Sequence, residues 1–287
     1  MSIACGAAHD YQEANSRNTM PFNPKPLDTK PLNLMSLIDL ANPTKFLALT
    51  ARVLPWLAAV TAILLAIGLY QSAMAPDDYQ QGATVKIMFI HVPNAWLSMF
   101  VWGVMCAAAL GTLVWRHPLA DVAQKAAAPI GAAFTFLALV TGALWGRPMW
   151  GTYWEWDARL TSVLILFLMY LGLMALWRAV EDPSRAARAA AVLTLVGAIN
   201  LPIIKFSVDW WNTLHQPSSV FRIGGPAIAA SMLMPLIIMA IAATLLFLTL
   251  HMMAIRNEIL RRRLRRLTIL AAEQSEAPVY AAGEPAR

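Results

Sequence analysis

Six stretches of this chain contain no Asp, Glu, Lys or Arg: Val53 to Pro76, Ile87 to Trp115, Ala126 to Gly146, Leu160 to Trp177, Ala189 to Ile204 and Ile223 to Ile255. A charge at the centre of a bilayer costs roughly 2.5–3.5 kcal/mol, and about 17–25 apolar residues span the hydrocarbon core, so runs of this kind identify lipid as the solvent. The fifth run is the shortest and carries Asn200 and Pro202, which mark a possible kink. Backbone polar groups find no partners in lipid, so a chain with these runs crosses it as helices. The expected fold is therefore an all-α membrane protein of six transmembrane helices. Only 13% of the residues are charged, against about 25% in soluble domains.

Charge outside the runs sets the orientation. Seventeen of the 22 Lys and Arg fall in the N-terminal tail, the second and fourth loops and the C-terminal tail; Lys86, Arg147, Arg159, Lys205 and Arg222 lie on the other side. By the positive-inside rule both termini are cytoplasmic, in a bacterial inner membrane, and the first, third and fifth loops face outward. Three regions follow: a flexible N-terminal tail (1–50), a transmembrane domain (51–255) and a basic C-terminal tail (256–287). The net charge of +6 is concentrated in that last segment, which holds seven Lys and Arg, so anionic lipid and not nucleic acid is the expected partner. No signal-peptide core follows Met1.

Of the five histidines, His91 and His215 fall on the outer side, over a hundred residues apart in sequence. Imidazole is a natural axial ligand for haem iron, and two of them make a six-coordinate site. Tryptophan crowds the same side. Trp145, Trp150, Trp154 and Trp156 lie in or beside the third loop, between helices 3 and 4, Trp210 and Trp211 lie near the fifth, and Trp96 follows His91. Such a loop is ordinarily polar, whereas this one offers flat apolar faces suited to a porphyrin. Arg147, Arg159, Lys205 and Arg222 are the cations available to propionates. The chain has no C-x-x-C-H run, so the cofactor expected is haem b, without covalent attachment. Cys5 and Cys106 form no framework.

Each assignment has a simpler alternative. His91 precedes Pro93 and suits a helix start. The Trp rings suit an aromatic belt. Asp157 suits an N-cap for the helix that follows as well as it suits orienting Arg159 or a ligand. Trp154 and Trp156 share a face only if their segment is extended. Met88 and Met149 suit packing better than ligation, and Cys106 suits the core.

The run WGRPMWGTYWEWDARLTS, with KIMFIHVPNAW upstream and VDWWNTLHQPSS downstream, resembles the haem exporter protein C (CcmC) family of cytochrome c maturation, among the haem-handling proteins with a tryptophan-rich WWD domain. The resemblance covers about residues 50–255. It implies that His91 and His215 are the axial, metal-binding ligands and that Trp145, Arg147, Trp150, Trp154, Trp156, Asp157 and Arg159 belong to a haem site on a periplasmic loop. It also implies delivery to a periplasmic haem chaperone (CcmE-like), beside an ABC-type ATPase and permease and a small single-span subunit. Two departures stand out: Tyr153, where some relatives carry tryptophan, and the long N-terminal extension.

A haem-carrying and delivery subunit is thus the leading expectation, not a hydrolytic or redox enzyme. A transmembrane haem transporter or permease is the alternative; it calls for ionisable residues along a path, which the spans nearly lack. An electron-transfer subunit would need a further histidine pair, for which only His117 and His251 are available. With no G-x-x-x-x-G-K-[ST] run, any ATP coupling falls to a partner.

Overall fold

The computed structural model describes residues 42–216, 219–220 and 222–276, and among these all regular structure is helical. The bulk of the expected N-terminal tail lies outside the described residues. Helix α1 (Pro43–Met74) starts inside the expected tail, where Asn42 Oδ1 accepts from the backbone N–H groups of Thr44 and Lys45 and Pro43 fills the first helical position. A 3-10 turn (Ala83–Ile87) leads into α2 (Met88–Leu113), followed by α3 (Ala120–Trp150) and α4 (Ala158–Ala179). Then come α5 (Pro183–Gly197), α6 (Asn200–Trp210) and α7 (Ala230–Glu276). With α5 and α6 counted as one crossing, six segments are long and apolar enough to span a membrane.

The fifth crossing is broken where the sequence marked a kink. At Ala198 and Ile199 the backbone tightens into i to i+3 bonds, and Pro202 has no N–H with which to continue the helical ladder. Asn200 Nδ2 donates to Ser162 O at 2.8 Å, tying the break to α4. The sixth helix begins at Ala230 and not at Ile223, because Gly224 and Gly225 take left-handed φ values of 98° and 92°. At its far end α7 stays helical to Glu276, through the basic cluster.

The core among α2, α3, α4 and α7 is built on large apolar side chains such as Leu97, Trp102, Phe134, Leu166 and Phe247, whereas the face that α1 buries is small and polar. On α1 the buried residues are Thr50, Thr61, Gly68 and Ser72, while Trp56, Ile63 and Tyr70 face outward. That small face lies along α7, where Thr61 and Thr249 hydroxyls meet at 3.1 Å. Helices α2 and α3 pack along each other and both touch α7, with α4 against α3 and α5 against α2. Their polar groups are tied across helices: Trp102 Nε1 donates to Thr194 O at 3.0 Å, Gln124 Nε2 to Thr194 Oγ1 at 2.7 Å, and Tyr170 Oη to Ser98 O at 2.8 Å.

Tyr170 fits because Gly131 lacks a side chain; a Cβ there would fall 2.3 Å from the Tyr170 ring. Gly131→Ala therefore forces that buried ring to move and is expected to cost about 1–3 kcal/mol, whereas Gly172→Ala, which meets nothing, is expected to be near neutral. Thermal unfolding of both variants in detergent micelles checks the contrast.

Candidate functional site

One end of the helices carries the α1–α2, α3–α4 and α6–α7 connections, and with them both candidate histidines. The last turns of α3 organise this end. Thr141 and Trp145, one turn apart, share a helix face and meet His91 of α2. The Thr141 hydroxyl donates to Leu137 O at 2.6 Å, which leaves its oxygen to accept from His91 Nδ1 at 3.1 Å. With that hydroxyl proton engaged, the Nδ1–H tautomer of His91 satisfies this contact, and the ring also hydrogen-bonds the Ala138 backbone. The Trp145 ring meets His91 edge to face at 5.7 Å and donates through Nε1 to Gln81 Oε1 at 2.8 Å. Gly142 makes room for the imidazole, since a Cβ there would lie 2.9 Å from His91 Cε1.

His215 is held in the same way by different atoms. Its Nδ1 lies 3.2 Å from Asp157 Oδ2, and Leu214 N donates to the same oxygen at 3.4 Å. The other oxygen, Oδ1, accepts from Leu160 N at 2.7 Å and caps α4. Asp157 is thus the N-cap and at the same time the partner of a histidine. Burial holds the His215 imidazole below its ordinary value and the Asp157 carboxylate opposes that shift. A neutral ring donating from Nδ1 leaves Nε2 free. Trp150 meets His215 edge to face at 4.9 Å. His91, His215 and Arg159 lie within electrostatic range of one another.

The remaining site candidates separate. The predicted loop from Trp145 to Arg159 is mostly helix: α3 continues through Trp150 and α4 begins at Ala158, leaving Gly151–Asp157 as the connection, with Gly151 at φ 78° ending α3. Pro148 does not stop α3, and Arg147 in its last turn bonds to Gly151 O and lies over the Tyr153 ring at 5.4 Å. Trp154 and Trp156 pack edge to face at 5.4 Å. Trp156 is exposed, while the buried Nε1 of Trp154 has no partner among the described residues. Arg159 does not pair with Asp157; it donates to Ser207 Oγ at 3.1 Å and to Lys205 O at 3.5 Å on α6. Trp96 stacks on Phe100 at 4.7 Å and is exposed, away from His91.

Sequence reasoning missed Thr141, Gly142 and Gln81. Thr141 and Gly142 had a signal, a small polar pair one turn before Trp145 in an otherwise apolar run. Gln81 had none. Among the described residues no three His, Cys, Asp or Glu gather into a metal-holding cluster.

These features define a polytopic membrane protein with a paired-histidine, tryptophan-rich end. The family model "Heme exporter protein C" (CcmC) matches residues 36–270, and the chain belongs to that family. It is 85% identical over 240 residues to heme exporter protein C of Bradyrhizobium diazoefficiens, covering 84% of this chain and 91% of that one. It is 48% identical to the protein of that name from Paracoccus denitrificans, over 81% of this chain and 97% of the relative. For the Escherichia coli K12 protein the figures are 46%, 80% and 94%.

Asp157→Ala removes both the cap and the histidine contact and is expected to cost about 1–2 kcal/mol, while Asp157→Asn keeps one acceptor oxygen, enough for the cap but not for the histidine contact as well, and loses less. Thermal unfolding of the two variants in detergent measures the difference.

Proposed function

We propose that this end of the protein holds haem as cargo between His91 and His215 and presents it at the periplasmic face to a haem chaperone. The observation that carries the reading is the shared arrangement of the two imidazoles: each sets Nδ1 against a side-chain oxygen, Thr141 Oγ1 or Asp157 Oδ2, and in the Nδ1–H tautomer Nε2 is the nitrogen for iron. Membership of the heme exporter protein C family supports it. Haem supplies a flat apolar macrocycle, iron with open axial positions, and two carboxylates.

The residues divide the work by their chemistry. His91 and His215 ligate; Thr141 and Asp157 set their tautomers. Trp145 and Trp150 limit ring rotation by edge contacts. Trp154, whose indole N–H has no acceptor among the described residues, and Trp156, exposed beside it, offer a donor and an apolar face. Arg147 and Arg159 supply positive charge toward carboxylates. Haem b held this way stays non-covalent and can be passed on. In this reading both termini are cytoplasmic in the bacterial inner membrane. The chain then works beside a CcmE-like chaperone, an ABC-type ATPase and permease, and a small single-span subunit.

The direct test is an optical spectrum of the protein purified after expression with those partners. A six-coordinate low-spin spectrum is expected, lost or converted to five-coordinate in His91→Ala and in His215→Ala. Wild-type protein without haem, or both variants with an unchanged spectrum, overturns the reading. Thr141→Val is expected to lower haem affinity about 10–100-fold with the thermal midpoint preserved, and Thr141→Ser to restore it. Haem titration of the stripped protein reads this.

A further inference from the structure

At the end of the helices away from His91 and His215 lies an open cavity of about 870 Å³, lined by the start of α3, the turn from α4 to α5 and the basic extension of α7. Its charged lining is Lys125, Arg178, Arg262, Arg265 and Arg266 against Glu181. Two of these cations are already satisfied. Lys125 lies 2.8 Å from Glu258, and Arg262 lies 2.7 Å from Asp121 and 3.1 Å from Glu258. Arg178, Arg265 and Arg266 form no ion pair among the described residues, so the cavity keeps an excess of positive charge that its own carboxylates do not cancel.

The rest of the wall is apolar. Trp177, Val180, Ile269 and Leu270 line it, and the Trp177 ring sits 5.4 Å from the Lys125 ammonium. Buried Nε1 of Trp177 has no hydrogen-bond partner among the described residues. Trp177 ends the fourth apolar run, so the cavity opens where hydrocarbon gives way to headgroups. Guanidinium groups beside an apolar wall at that depth match an amphiphile with an anionic head. Neither a bare anion nor a water-soluble acidic peptide uses both parts of the wall.

We propose that this cavity is a specific binding site for the headgroup of an anionic glycerophospholipid, with the phosphate against Arg178, Arg265 and Arg266 and the glycerol and upper acyl chains against Trp177 and Leu270. The site is independent of the histidine end. Basic pockets between transmembrane helices bind anionic headgroups by this combination of contacts.

The test uses the full chain, delipidated in a mild non-ionic detergent, and titrates phosphatidylglycerol, phosphatidylcholine and inorganic phosphate, with native mass spectrometry and the thermal midpoint as readouts. Phosphatidylglycerol is expected to bind at least about tenfold more tightly than phosphatidylcholine and to raise the midpoint, with inorganic phosphate doing neither. The combined Arg178→Gln, Arg265→Gln and Arg266→Gln variant is expected to bind it about 10–100-fold more weakly, and the matching Lys variant, which keeps the charges and controls for folding, to retain most of the binding. Equal binding of the two lipids, an unchanged Gln variant, or a Lys variant as weak as the Gln one overturns the proposal. So does an equal effect of free phosphate, which would mark a simple anion site. Loss of a co-purifying protein subunit from the Gln variant with lipid binding unchanged would assign the cavity to a protein partner instead.

Discussion

One carboxylate fixes the His215 side of the histidine end. Asp157 caps α4 through Oδ1 and binds His215 and the backbone of Leu214 through Oδ2. Its two oxygens thus join the α3–α4 connection to the α6–α7 connection, at residues almost sixty apart in sequence. Both oxygens are committed to donors with fixed positions, so the carboxylate cannot rotate without giving up a bond. The start of α4 and the place of His215 are therefore set by one residue.

That economy suits a protein dissolved in lipid. Association of the helices gains little from apolar area, so close approach and hydrogen bonds carry it. Thr61 meeting Thr249, Thr194 receiving Trp102 and Gln124, and the Tyr170 ring seated over Gly131 are the joints of the framework. Helix α3 takes part in several of these joints, and its last turns also place Thr141, Trp145 and Trp150. The membrane packing thereby sets the geometry of the paired histidines.

Much of this was legible in the chain. The absence of charge marked all six crossings, because the cost of a charge in lipid is large against any other local preference. Asn200 and Pro202 marked the break in the fifth, and Asp157 was readable as a cap. Helix ends were less legible. The sequence from Trp145 to Trp150 looks like a loop, with Gly146 and Pro148, yet α3 has enough preceding turns to carry through Pro148. Polar pairings across helices were hidden altogether. Nothing in the local sequence says that Thr141 faces His91, that Gln81 receives Trp145, or that Arg159 reaches Ser207 and not its neighbour Asp157. Those contacts depend on how separate helices rotate against each other, which periodicity does not encode.

The two histidines are also mounted unequally. His91 lies within the first turn of a long helix, backed by Thr141 and Trp145 on a second. His215 lies beyond the end of α6, held by Asp157 and edged by Trp150. Moving His91 means unwinding a helix end, whereas the hold on His215 is its contact with Asp157 and the edge of Trp150. In the proposed reading the guest has a fixed post on the His91 side, and the His215 side is the one with less regular structure to give up.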